Sequence, residues 1–174
     1  MKISILQVVA TLNAEEEISV VSDLDTFSYQ GVSYPIAESK PFQLRLANVD
    51  NKKLKISGDT DVVLVLSCDR CLKEVPMTFD LRIERELSIS DGQVVSEDAE
   101  EIPFLDETEL DVDRLIYDEI LVNWPTKVLC QEDCKGLCPV CGQNLNERDC
   151  GCDRQVVDPR MARFQEVCDQ CKEV

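Results

Sequence analysis

The chain has 174 residues, 44% of them apolar, and 35 Asp and Glu against 18 Lys and Arg give a formal charge of −17. This length and apolar content suit one ordinary domain, or a domain with a small annex, and exclude a chain disordered throughout. The sequence has no histidine, which excludes imidazole acid–base work, Ser-His-Asp and Cys-His nucleophiles and His-ligated zinc or haem, and the charge disfavours broad electrostatic capture of nucleic acid.

In chain order, residues 1–14 are weakly apolar but hold Lys2, an interior Gln7 and no cleavage site of the expected kind, so no signal peptide is expected. Residues 2–6, 18–21 and 32–36 are weak strand candidates. The pattern then sharpens. Phe42, Leu44 and Leu46 alternate with Gln43 and Arg45, and Leu54 and Ile56 alternate with Lys53 and Lys55. Asp50-Asn51 between them supplies residues that tolerate unusual turn angles. Residues 62–66 form a continuous apolar run, the signature of a strand buried on both faces. From Phe79 the period is two: Phe79, Leu81, Ile83, Leu87 and Ile89 share a face that only Arg85 interrupts. Short, closely spaced strands predict an α+β chain whose residues 1–90 form an N-terminal antiparallel β-barrel or sandwich carrying a Cys68/Cys71 knuckle.

Residues 91–110 read as an acidic loop. The excess acid concentrates between Glu86 and Glu119, with Glu97, Asp98, Glu100, Glu101, Asp106, Glu107 and Glu109. Residues 111–124 predict one closing helix. Asp111 is placed as its N-cap, and Val112, Leu115, Ile116, Ile120 and Leu121 form an apolar stripe. Trp124, beside Pro125, reads as a core plug rather than a stacking platform. Residues 125–157 are a cysteine-rich, zinc-binding segment with too little apolar material for a core of its own. Asp158-Pro159 then opens a short C-terminal helix over 158–174.

The ten cysteines fall into groups. No stretch approaches the roughly 20 apolar residues of a membrane span, and cytoplasmic thiols stay reduced, so their number points to metal rather than disulfides. Cys138-Pro139-Val140-Cys141-Gly142 has knuckle chemistry. Two intervening residues let both sulfurs reach one ion, and Gly142 can take the left-handed conformation such a turn needs. Cys150 and Cys152 lie close enough in sequence to complete a first site of Cys138, Cys141, Cys150 and Cys152. A second site draws on Cys68, Cys71, Cys130 and Cys134. Cys168 and Cys171 compete for that place, or else fill an apolar helix face as buried thiols. All-sulfur sets select zinc or iron–sulfur, and closed paired knuckles favour one or two structural Zn²⁺.

Eight thiolates outweigh the charge of two Zn²⁺, so any RNA contact must be local. Lys52, Lys53 and Lys55 on one hairpin, Arg70 and Lys73 by one knuckle and Arg148 by the other are the candidates. No acid–base pair stands out, so no catalytic residue is assigned. The alternative is a thiol redox protein using Cys68 and Cys71.

The run Cys130-Gln131-Glu132-Asp133-Cys134-Lys135-Gly136-Leu137-Cys138-Pro139-Val140-Cys141-Gly142-Gln143-Asn144-Leu145-Asn146, followed by Cys150-Gly151-Cys152, resembles the signature of the YceD family, the large ribosomal RNA subunit accumulation proteins. Cys68-Asp69-Arg70-Cys71-Leu72 resembles that family's other motif, and Asp158-Pro159-Arg160 its closing segment. The likeness runs from about residue 40 to 165. Cys168 and Cys171 fall outside it. It implies a non-catalytic, cytoplasmic ribosome-biogenesis factor that supports synthesis, processing or stability of large-subunit ribosomal RNA. The implied partners are the large-subunit ribosomal RNA precursor, a basic ribosomal protein or a processing factor, with no membrane and no small-molecule substrate.

Overall fold

Alternating apolar and polar side chains build the main sheet, in which four long antiparallel courses follow one another as a meander. The first course is β2 (Glu15–Val20) continued by β3 (Thr26–Tyr29), and the second is β4 (Val32–Ser39) continued by β5 (Phe42–Val49). The third and fourth are the unbroken β6 (Lys53–Ser67) and β7 (Glu74–Ser90). One edge of β6 pairs first with β5, from Val49↔Lys53 to Arg45↔Ser57. It then pairs with β4, from Ser39↔Val62 to Ile36↔Leu64, through a bulge. Its other edge pairs with β7 over its whole length. β8 (Gln93–Val95) closes a short hairpin on β7. This computed structural model describes residues 1–90, 92–95 and 102–153. The helix expected over 158–174 and Cys168, Cys171, Glu97, Asp98, Glu100 and Glu101 lie outside the described residues.

The sheet stays open. Among the described residues β7 and β8 pair with neither β2 nor β3, so the expected barrel does not close. The apolar run at 62–66 is also a correction. Val62, Leu64 and Leu66 are buried, whereas Val63 and Val65 are only half-buried, so one face of the strand carries the core. β1 (Lys2–Ser4) leaves the main sheet altogether. It pairs with β10 (Glu109–Asp111), which pairs with β9 (Leu105–Asp106). The described part of the stretch expected as an acidic loop thus carries β8, β9 and most of β10, strands too short to leave a periodic signal.

α1 (Leu6–Ala10) follows β1, and buried Asn48 holds its end by donating from Nδ2 to the carbonyls of Val8 (3.0 Å) and Val9 (3.1 Å). α2 (Val112–Val122) starts at Asp111, whose Oδ1 accepts from the backbone N–H of Asp113 and Arg114 at 3.1 and 3.3 Å. This satisfies two of the otherwise orphaned first-turn donors. Val112, Leu115, Ile116 and Ile120 are buried as the stripe requires, and Glu119 is buried with them. Arg85, the residue that interrupts the apolar face of β7, meets Glu119 as an ion pair. Trp124 packs among Phe27, Tyr29, Tyr34 and Phe79, with ring centroids at 5.2, 5.0, 5.2 and 6.0 Å. It is a core plug.

The chain divides into two compact units. One is Met1–Ser67 with Glu74–Val128, and the other is Cys68–Lys73 with Leu129–Val174. Among the described residues the hydrophobic core, from Ile3 to Val128, belongs to the first. In the second, the buried side chains among the described residues are those of Cys68, Cys71, Cys134 and Cys138.

Candidate metal centres

Two tight turns present the first pair of sulfurs in each group, and they share one backbone pattern. In Cys68–Lys73, the N–H of Leu72 donates to Cys68 O at 2.9 Å and the N–H of Cys68 to Lys73 O at 2.8 Å. In the second turn, the N–H of Gly142 donates to Cys138 O at 2.9 Å and the N–H of Cys138 to Gln143 O at 2.8 Å. The residue after the second cysteine is left-handed in both, Leu72 at φ 60° and Gly142 at φ 72°. Glycine takes that conformation freely. Leucine holds it against a steric cost of about 1–2 kcal/mol.

These turns, with their partners, gather the sulfurs into two quartets. Cys68, Cys71, Cys130 and Cys134 form one, and Cys138, Cys141, Cys150 and Cys152 the other, with the sulfurs of each set within 4.8 Å of one another. In the first, Cys71 Sγ and Cys130 Sγ lie 3.5 Å apart and Cys68 Sγ and Cys134 Sγ 3.9 Å. Four converging sulfurs with no charged oxygen among them fit a soft or borderline cation in four-coordinate geometry.

The electrostatics agree. Burial opposes the Cys68 thiolate, but the backbone amides of Arg70, Cys130 and Cys71 outweigh it and bring the thiol down to about 6. The amides of Cys141 and Val140 bring Cys138 down to about 6 as well. Burial opposes the Cys134 thiolate too, but the Asn146 amide and the backbone N–H of Gly136 outweigh it and lower that thiol, whereas Cys71, Cys130 and Cys152 move the other way. Burial and the neighbouring sulfurs push Cys130 up to about 12, and the adjacent Cys141 and Cys150 sulfurs push Cys152 up to about 12. Each quartet therefore holds sulfurs that ionise readily beside one or more that resist it, a resistance a divalent cation relieves.

The connecting segments are held by their own bonds. Gly136 has φ +77°, and a Cβ there would stand 2.9 Å from Arg70 O, which accepts from the N–H of Leu137 at 3.0 Å. Arg70 also donates from a guanidinium nitrogen to Cys134 O at 2.6 Å. Asn146 donates from Nδ2 to Cys134 Sγ at 3.2 Å. Both Gly136 and Asn146 fall within the run that resembles the YceD signature, but the sequence assigned neither of them a role.

Most of the basic candidates are engaged with nearby groups. Lys53 and Lys55 both reach Glu86, at 3.0 and 2.7 Å, and Arg148 Nε donates to Gln143 Oε1 at 3.0 Å. Arg70 is engaged as above. Lys52 and Lys73 are exposed.

The YceD family model, described as large ribosomal RNA subunit accumulation protein YceD, matches residues 56–167, a span that includes every cysteine of both quartets. The chain belongs to the YceD family. Among similar proteins is the large ribosomal RNA subunit accumulation protein YCED homolog 1, chloroplastic, of Arabidopsis thaliana. It is 27% identical over 134 residues, which cover 62% of this chain and 42% of that protein. Uncharacterized proteins of Mycobacterium bovis and Mycobacterium tuberculosis are 29% identical over 126 residues, 71% of this chain and 59% of theirs. The chain thus spans less than two thirds of the length of these relatives. No solved structure matches it. Among the described residues no helix is long and apolar enough to cross a membrane.

Proposed function

We propose that this protein is a cytoplasmic ribosome-biogenesis factor that supports synthesis, processing or stability of large-subunit ribosomal RNA by binding rather than by catalysis, and that its two sulfur quartets hold structural Zn²⁺. The observation that carries the metal part is the second unit's interior: among its described residues only cysteine side chains are buried, so sulfur takes the place of a hydrophobic core. A structural zinc supplies an apparent 10–16 kcal/mol at about neutral pH, on the scale of a domain's stability. Closed quartets built on paired turns favour zinc over an iron–sulfur cluster, and the ion would act as scaffold. The functional part rests on membership of the YceD family.

The partner is a basic ribosomal protein or a processing factor that docks on the acidic segment around Glu97–Glu101, with exposed Lys52 and Lys73 making local contact with the ribosomal RNA precursor. A specific observation also favours thiol redox chemistry, the depressed Cys68 thiol. Against it, Cys130 and Cys134 close on the same pair of sulfurs. Insulin reduction that Cys68→Ser abolishes would support that alternative.

The test is capture of particles from lysate by the purified chain. Large-subunit precursors and basic ribosomal proteins are expected, and replacing Glu97, Asp98, Glu100 and Glu101 by Gln should reduce their recovery at least several-fold. Recovery of neither overturns the proposal.

A further inference from the structure

Asn146 lies between Cys141 and Cys150, two members of one quartet, yet its side chain serves the other. The orientation of its amide is fixed by an unambiguous donor. The backbone N–H of Lys135 bonds to Oδ1 at 2.8 Å, and Gln131 Nε2 donates to the same oxygen at 3.3 Å. Nδ2 must then face Cys134 Sγ, at 3.2 Å, and its second hydrogen goes to Asn144 Oδ1 at 3.0 Å. An N–H aimed at a thiolate spreads its charge and fixes its direction, as partners of metal ligands commonly do.

The segment that carries Asn146 leaves directly from the second quartet's turn, which closes with the N–H of Cys138 on Gln143 O at 2.8 Å. The N–H of Leu145 donates to Gly136 O at 2.9 Å, and those of Glu147 and Arg148 donate to Asn144 O at 3.2 and 3.3 Å. The three residues from Lys135 to Leu137 are all that separates Cys134 of the first quartet from Cys138 of the second. One hydrogen-bonded frame therefore runs through both.

We propose that Asn146 is the positioning residue through which the two quartets are coupled: closing the second on a divalent cation fixes the segment that delivers the Asn146 amide to Cys134, so the first quartet binds its cation more tightly when the second is filled. Coupling of binding free energies is reciprocal, so each filled centre favours the other. The inference rests on the reading that both quartets hold a divalent cation.

Cobalt titration of the full chain under reducing conditions tests it, with the sulfur-to-cobalt absorption as readout. A Cys138→Ser/Cys141→Ser chain reports the first centre alone, and a Cys71→Ser/Cys130→Ser chain the second. Loss of the second centre should weaken the first by about tenfold. Asn146→Ala should weaken the first centre by about 10–100-fold, the usual effect of removing a ligand's partner. It should also move that centre's band to lower energy, because the sulfur lone pairs lose an N–H. The second centre's band should persist and so report that the unit is folded. Asn146→Asp, which keeps the acceptor for Lys135 but loses the donor, should weaken the first centre at least as much.

In the Asn146→Ala background, removing the second centre should cost the first nothing more. First-centre affinity within about twofold of wild type in both Asn146 variants overturns the proposal. So does any weakening of the second centre by Asn146→Ala in the Cys71→Ser/Cys130→Ser chain, where no first centre is left to couple to, or additive effects of Asn146→Ala and Cys138→Ser/Cys141→Ser on the first. Absence of any cobalt–thiolate band in the unaltered chain overturns instead the metal reading on which it rests.

Discussion

Arg85 and Glu119 show what a single residue pair costs and gives. The Glu119 side chain is 4% exposed, and that of Arg85 31%. The two are close, yet Glu119 Oε1 accepts no well-aligned hydrogen bond, so the contact is a charge pair. Burial, with some help from Asp118, pushes the Glu119 carboxyl above its ordinary value of 4.5, and the Arg85 guanidinium only partly offsets this. A carboxyl whose folded pKa is raised contributes stability below its ordinary pKa and loses it as pH climbs through the raised value. Removing Arg85 takes away the opposing charge and widens that window. Arg85→Met should therefore destabilise by roughly 2–3 kcal/mol near neutral pH, somewhat less than a fully buried pair would lose because Arg85 is partly exposed. The loss should shrink as pH falls toward about 4.5, and Arg85→Met/Glu119→Leu should recover most of it. Denaturant unfolding followed by Trp124 emission at several pH values measures this. A loss independent of pH would contradict it. Leu72 is another residue under tension, exposed and left-handed where the sister turn has Gly142.

At the scale of elements, Gly58 marks where β6 changes partner. Its pairing with β5 ends at Ser57 and that with β4 resumes at Val62. A Cβ at Gly58 would stand 2.9 Å from Gln43 O and 3.3 Å from Leu44 Cδ1. Backbone of one strand must move off the other to admit it, so Gly58→Ala should destabilise by about 1–3 kcal/mol. A thermal midpoint unchanged from wild type would show that the approach is not needed. The alternation of β5, β6 and β7 was legible because half-buried strands write their faces directly into sequence. The Asp50-Asn51 turn was legible too, and both residues have positive φ, 52° and 56°. Partner exchange along β6 was not, since period two says which face is buried but not which strand lies alongside. Five-residue α1 and two-residue β9 are too short to carry a period. Cysteine spacing put Cys138, Cys141, Cys150 and Cys152 together but left Cys130 with Cys134 and Cys168 with Cys171 competing to join Cys68 and Cys71. The fold gathers the first set, and Cys68 and Cys71 with Cys130 and Cys134, within 4.8 Å. The roles of the amides and of Asn146 that steady them were not legible, because backbone donors have no sequence identity and an asparagine in a motif does not reveal which group it bonds.

For the whole molecule, the division of the core decides what metal removal should do. Every member of the hydrophobic cluster lies within the first unit, where Phe27, Leu44, Leu46, Ile56, Leu64 and Leu115 are almost fully buried. The described residues of the second unit offer turns, a few hydrogen bonds and their sulfurs. Stripping zinc with a strong chelator under reducing conditions should therefore unfold one unit and spare the other. Trp124 reports on the first unit, since its ring packs against Phe27, Tyr29, Tyr34 and Phe79. Its emission and the β-sheet circular dichroism should change little, and the first unit's denaturant midpoint should stay close to that of the untreated protein. Amide exchange in residues 129–153 should rise to rates near those of an unfolded chain. Limited proteolysis should cut there, and two equivalents of zinc should restore protection. The turn Cys68–Lys73 should lose protection with them, because two of its sulfurs belong to the first quartet. Chelation that melts both units together would mean the sulfur centres stabilise the sheet as well. Protection in residues 129–153 that survives complete metal removal would mean that something other than sulfur coordination holds the second unit, and the structural role assigned to zinc would fall.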